Sequence, residues 1–226
     1  MLTVGRELCG DLATAESREW LVTNGIGGYA AGTIAGVLSR RYHGLLVAAL
    51  TPPLGRTLLV TKLDETVYAD GQRYGLATNR WGDGSVDPQG YRFIEGFRLE
   101  GTTPVWTFAL GDGLLEKRIW MQPGENTTYV QYRRQRGNAP IELSLRVLVN
   151  YRDYHGNTQG QNWQMDTGRV PDGGYVQVFA EAVPYYILCD RNDFQLHHDW
   201  YHGFDLTMEP YRGLSDRDDH LCVASL

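Results

Sequence analysis

The sequence predicts an all-β fold, a wide two-sheet sandwich with little helix. Three observations predict it. The dominant hydrophobic period is two, the signature of a half-buried strand, rather than the 3.6 of an amphipathic helix. Pro-Pro, Asp-Gly, Pro-Gly and Gly-Gly pairs punctuate the chain, and such pairs mark turns. No segment carries an apolar stripe longer than about two helical turns.

Taken in chain order, residues 13–20 form the one short helix the pattern allows, with Asp11 or Thr14 as its cap. Residues 45–50 and 57–67 read as strands. Residues 105–110 and 114–121 flank Gly111-Asp112-Gly113, a short loop of residues that tolerate positive φ, and so read as a hairpin. "TYVQYRRQ" is a further strand, "RGNAP" a turn, and 141–150 the clearest alternation in the chain. There Leu143, Leu145, Val147 and Val149 face one way, and Ser144, Arg146 and Asn150 the other. Residues 175–180 and 185–190 follow, and "RDDHLCVASL" ends the chain as an apolar strand. The pattern yields roughly ten to fourteen strands, more than a simple sandwich holds and suited to a wide one. There is no internal repeat, low-complexity tract or linker, so residues 1–226 are expected to form a single domain. A chain of this length buries roughly 70–75% of its unfolded surface, enough for one good core.

Hydrophobic residues at 42% and charged residues at 21% are ordinary for a globular protein. The net charge of −6 disfavours nucleic acid and anionic membrane as partners. The one basic cluster, Arg133-Arg134-Gln135-Arg136, is short and reads as a solvated hairpin tip. Cys9, Cys189 and Cys222 are odd in number and far apart, which fits neither a disulfide framework nor a zinc site. Reduced thiols, no signal-peptide pattern and no apolar run near the ~18 residues of a membrane span lead us to expect a cytoplasmic protein. No cofactor or metal is expected.

Three motifs invite functional readings. Gly25-Ile26-Gly27-Gly28-Tyr29-Ala30 fits the dinucleotide fingerprint G-x-G-x-x-A. That chemistry needs a following helix, which Gly32, Thr33 and Gly36 interrupt, and an acid about 20 residues on. No acid occurs between Glu19 and Asp64. His198-Asp199-Trp200-Tyr201-His202 resembles the zinc motif H-E-x-x-H, but "WYHG" is a poor helix and packing is the simpler role. The last forty residues are rich in carboxylates and aromatics, including Asp199, Asp205, Glu209, Asp216, Asp218 and Asp219 beside Trp200 and Tyr211. Paired carboxylates beside aromatics serve glycoside cleavage, and they also line ordinary acidic interfaces.

"NGIGGYAAGT", "RRYHGLLVAAL", "PPLGRTLLVTKLDE" and the late "YRGL" and "DDHL" resemble the N-terminal domain of bacterial and archaeal glycogen debranching enzymes of the amylo-α-1,6-glucosidase type. The resemblance is dense over residues 19–65 and looser beyond. It implies a super-β-sandwich like that of galactose mutarotase, followed in the whole enzyme by an (α/α)6 barrel holding the catalytic acid and base. The present chain has no such helical repeat. The resemblance therefore implies a non-catalytic domain, with no catalytic residue of its own. Its partners would be the catalytic domain of the same polypeptide and α-glucan.

Asn24, Tyr29, Arg40, Arg41, Tyr42 and His43 are the candidate residues for a substrate-pocket rim or an interdomain seam. Arg offers a planar five-donor fork, Tyr an amphipathic ring and His a donor and an acceptor. An internal network pinning turns within the sandwich uses the same residues. The rim reading expects Arg41 partly exposed and bonded to water or a nearby acid. Competing functions are a stand-alone α-glucan-binding module and a mutarotase-like epimerase using a His and a Glu. For the latter, no histidine shows a Glu partner at readable spacing.

Overall fold

The structure is a computed structural model and describes residues 2–138, 140–160, 163–190 and 193–226. It is 59% strand and 7% helix. The chain opens with β1 (Leu2–Gly5), two short helices, α1 (Arg6–Cys9) and α2 (Leu12–Glu16), then β2 (Glu19–Thr23), β3 (Tyr29–Thr33), β4 (Gly44–Thr51) and the long β5 (Leu54–Ala69). Next come β6 (Gln72–Gly75), β7 (Thr78–Arg80), β8 (Val86–Gln89), β9 (Ile94–Glu100), β10 (Thr103–Leu110), β11 (Gly113–Met121) and β12 (Thr128–Arg136). The last part holds β13 (Ile141–Asp153), β14 (Asp166–Val170), β15 (Gly173–Gln177), β16 (Tyr185–Leu188), β17 (Gln195–Asp205) and β18 (Arg217–Ser225). Eighteen strands among the described residues exceed the expected ten to fourteen. The surplus comes from strands of three and four residues, too short to show a period.

Two antiparallel sheets form the sandwich. One has five strands in the order β1-β9-β10-β11-β12, and the other eight, β17-β18-β13-β5-β4-β3-β2 with β6 added on β5. A three-stranded sheet, β14-β15-β16, and the pair β7-β8 lie outside them. The expected hairpins are present: β10 and β11 pair around residues 111–112, and β12 continues that sheet. The helix expected over 13–20 is shorter. Asp11 caps it by accepting from the Thr14 N–H at 2.9 Å, but the chain turns at Ser17 because Trp20 is drawn into β2 to reach the core.

The interior between the two large sheets is rich in aromatic rings. Trp106 of β10 meets Trp20 edge-on with ring centres 5.4 Å apart, and Phe97 at 5.1 Å. The Trp106 indole N–H donates to the Ile34 carbonyl at 2.9 Å, so this buried polar atom is satisfied. Among the described residues one ion pair crosses the gap: Lys117 of β11 bonds Glu65 of β5, which also accepts from the Tyr132 hydroxyl at 2.8 Å.

The other face of the eight-stranded sheet is also covered. Segments 38–43 and 206–216 fold over it and, with Phe204 of β17, enclose a second small cluster of Leu38, Leu148, Phe204, Leu206 and Cys222. This explains the continuous buried run of β4, whose residues 44–49 are all buried. It also corrects the reading of β13. Asn150 was expected to face away from the core, yet it is fully buried. Bulges at Leu148–Val149 and Val149–Arg152 shift the register, and Asn150 meets Thr158, the Asp219 carbonyl and His220 instead of water.

Candidate functional site

The segment 24–43 begins in the β2–β3 turn, runs through β3 and then passes onto the outer face of the large sheet. Its first part, the fingerprint-like glycines, forms the tight turn between antiparallel β2 and β3, with no helix after it. Gly25 and Gly27 sit at φ 81° and 103°, the left-handed region open to glycine. The Asn24 side chain closes this turn by accepting from the Ile26 and Gly28 N–H groups at 3.0 and 2.9 Å. It also donates to the Glu125 carbonyl and to Asn126, each at 3.0 Å. Asn24 thus ties the large sheet to the β11–β12 turn of the small one.

The remaining candidate residues part company. Arg40 reaches Glu19 at 2.6 Å, and His43 Nε2 lies 3.4 Å from the same carboxylate. The His43 ring first, and Arg40 with it, hold the Glu19 carboxyl down at about 2. Ser39 N–H donates to His43 Nδ1 at 3.2 Å, which leaves Nε2 to carry the proton facing Glu19. A histidine with a Glu partner therefore exists, contrary to the sequence reading. The pair bridges strand β2 to the covering segment, and His43 is buried.

Arg41 overturns the expectation of partial exposure: it is 7% exposed. Its backbone N–H donates to Glu209 Oε1 at 2.9 Å, and its Nε faces Glu209 Oε2 at 3.2 Å without an aligned hydrogen bond. Its two terminal nitrogens donate to the carbonyls of His155 and Ser215. The nearby acid was anticipated in kind, but the pair lies inside the domain. The Arg41 carbonyl in turn accepts from Arg152 at 2.8 Å, and Arg152 pairs with buried Asp218 at 2.7 Å. Asp218 Oδ1 takes the Thr158 N–H at 2.6 Å, and Thr158 donates its hydroxyl to Asn150 at 2.7 Å. Asn150 donates to His220 Nδ1 at 3.0 Å. Burial pushes His220 down to about 4, so the ring is neutral. Buried Glu209 and Asp218 each face a buried arginine, as burial of charge demands.

Tyr42 and Tyr29 belong to a different set, half-buried beneath the surface. The Tyr29 hydroxyl donates to the Tyr42 carbonyl at 3.0 Å, and burial pushes its phenol well above the ordinary range. The Tyr42 ring packs against Tyr154 (5.6 Å) and edge-on to His155 (5.5 Å), with its hydroxyl 3.1 Å from His155 Nδ1. The Arg212 guanidinium lies over Tyr42 at 5.3 Å and that of Arg56 over Tyr154 at 5.5 Å. Beside them Tyr211 is 86% exposed. This rim of rings and forked donors, held from beneath by Arg41, can stack on a sugar face or receive an aromatic-seeking protein surface.

Tyr154 and His155 escaped the sequence reading. The signal for them was present: "RRYHG" at 40–44 is echoed by "RDYHG" at 152–156. The two copies meet in space, Tyr42 on Tyr154 and His155, and Arg152 on the Arg41 carbonyl.

The other motifs take ordinary places. His198-Asp199-Trp200-Tyr201-His202 lies in strand β17, where residues four apart stand about 13 Å apart rather than on one helical face. Arg133, Arg134 and Arg136 lie exposed at the end of β12. No helix among the described residues is long and apolar enough to cross a membrane.

A family model described as glycogen debranching enzyme N terminal matches residues 18–226. The chain belongs to that family. No curated protein and no solved structure gave a match. The match to the glycogen debranching enzyme N-terminal family begins at Arg18, one residue before Glu19, and so takes in the whole candidate segment, both copies of the R-x-Y-H-G pattern, and Glu209 and Asp218.

Proposed function

We propose that this domain is the non-catalytic N-terminal part of an enzyme that hydrolyses α-1,6 branch linkages of glycogen-like α-glucan in the cytoplasm. In this reading it supports a catalytic domain of the same polypeptide and lends it the Tyr42–Tyr154–His155–Arg212 rim. The family match over residues 18–226 carries the reading. The carboxylates support it. Inverting hydrolysis needs two carboxyl groups flanking a water, roughly 6.5–9.5 Å apart. Here Glu65, Glu116, Glu209 and Asp218, the buried acids, are each committed to a lysine or arginine.

The epimerase reading has one observation on its side, the His43–Glu19 pair. Both ring nitrogens of His43 already face groups of the protein and the ring is buried, so the pair serves as a latch.

The test is glucose release from a limit dextrin. The chain alone is expected to release none. Joined to the catalytic domain, it is expected to support hydrolysis, and Tyr42→Ala is expected to lower kcat/KM about tenfold, a loss of about 1.4 kcal/mol. Glucose release by the chain alone that disappears in Glu19→Gln overturns the reading.

A further inference from the structure

The three-stranded sheet β14-β15-β16 has two unlike faces. On its inner face Val176 and Tyr185 are buried in the main core, and Phe194 lies over Gly174. On its outer face Tyr175 and Tyr186 stand directly opposite each other across β15 and β16, so both side chains leave the sheet on the same side. Gly168 is the third residue of that row, opposite Tyr175 on β14. A Cβ there would come within 2.3 Å of Tyr175 Cε1, so the ring leans across the bare glycine instead of standing up. The Tyr175 hydroxyl is anchored by donating to Asp166 at 3.0 Å. Tyr186 is 57% exposed and Leu188, beside it, 63%.

We propose that this outer face is a landing surface for a neutral α-glucan chain, separate from the Tyr42 rim. The shape is flat and aromatic, which suits the C–H face of a pyranose ring. Its charge is equally telling. No outward position of the three strands is a lysine or arginine, and the one carboxylate, Asp166, is engaged by Tyr175. An anionic ligand finds no cation there, whereas a neutral polyhydroxylated one meets phenol hydroxyls and the Asp166 acceptor. Size separates sugar from protein. Three strands of at most five residues make a face of roughly 240 Å² from ordinary strand dimensions. A stable protein interface buries about 800 Å² on each partner. The α-linkage, as opposed to the general class of neutral polysaccharide, rests on the functional reading above.

The experiment is native affinity electrophoresis of the chain in gels containing glycogen, a β-glucan or no polysaccharide. Glycogen is expected to retard the wild type. Tyr175→Ala and Tyr186→Ala are each expected to weaken binding roughly fivefold, with the melting temperature unchanged because both side chains are on the outer face. Gly168→Ala, which keeps both tyrosines but displaces one ring, is expected to weaken it as well. Retardation by glycogen that persists in both tyrosine variants, or no retardation at all, overturns the landing surface and leaves the functional reading standing. Equal retardation by the β-glucan, lost in the same variants, overturns the α-glucan assignment together with that reading.

Discussion

The two faces of the eight-stranded sheet are both buried, yet by opposite chemistry. The inner face carries Trp20, meets Phe97 and Trp106 of the five-stranded sheet and is held by ring packing. The outer face meets segments 38–43 and 206–216 and is held by Arg41–Glu209, Arg152–Asp218 and the Asn150–His220 link. Apolar packing is non-directional and tolerates modest rearrangement, whereas a buried ion pair must keep both partners. The inner layer therefore supplies stability, while the outer layer fixes where two long segments, and with them the Tyr42 rim, come to rest.

The sharpest break is removal of one half of a buried pair. Arg152→Ala leaves Asp218 buried and uncompensated, and a loss of about 3–5 kcal/mol is expected in denaturant unfolding. Replacing both partners, Arg152→Met with Asp218→Leu, is expected to be milder than the single change. Trp106→Ala on the inner face is expected to cost about 3–5 kcal/mol as well, but no second substitution at a neighbour should recover it. Equal rescue on both faces would erase the distinction.

A pH titration of stability separates the layers next. His220 is neutral in the fold, near 4 against an ordinary 6.5. The unfolded chain binds more protons between those values, so this contribution is complete above pH 6.5 and is lost as pH falls towards 4. The loss expected from that shift is about 3 kcal/mol, read from urea midpoints across the range. His220→Asn should flatten the slope in that window, and an unchanged slope would place the titration elsewhere. Smaller effects belong to the periphery. Asp11→Ala removes the cap of α2 and is expected to cost about 1 kcal/mol. Arg40→Ala removes a partly exposed pair with Glu19, with an expected cost of about 0–1 kcal/mol, visible as a small shift in Tm.

The inner layer was legible in the sequence because alternation reports burial on one side of a strand. Strands β10, β11, β12 and most of β13 fall where the pattern puts them. The outer layer was not legible for the same reason. Asn150, Arg152 and Asp218 occupy outward positions, and a polar residue there reads as facing solvent until something covers it. Their partners are also remote: Arg41 and Glu209 lie 168 residues apart, and Arg152 and Asp218 66. Of the candidate site, the region was found but its division was not. Arg41 and His43 turned inward because Glu209 and Glu19 wait for them, and neither acid is near enough in sequence to announce the pairing. The echo of "RRYHG" in "RDYHG" was the one local clue to Tyr154 and His155.

The strand order also bears on how the chain is made. β13 pairs on one side with β5, already synthesised, and on the other with β18, which is not. Between them lie β14 to β17, several seconds of translation at ordinary elongation rates. Throughout that interval a nascent chain carries an open, apolar strand edge, the feature most prone to pairing with a neighbour on the same message. The one register shift on that side, between Val147 and Leu148, interrupts the ladder that a stray strand would have to match.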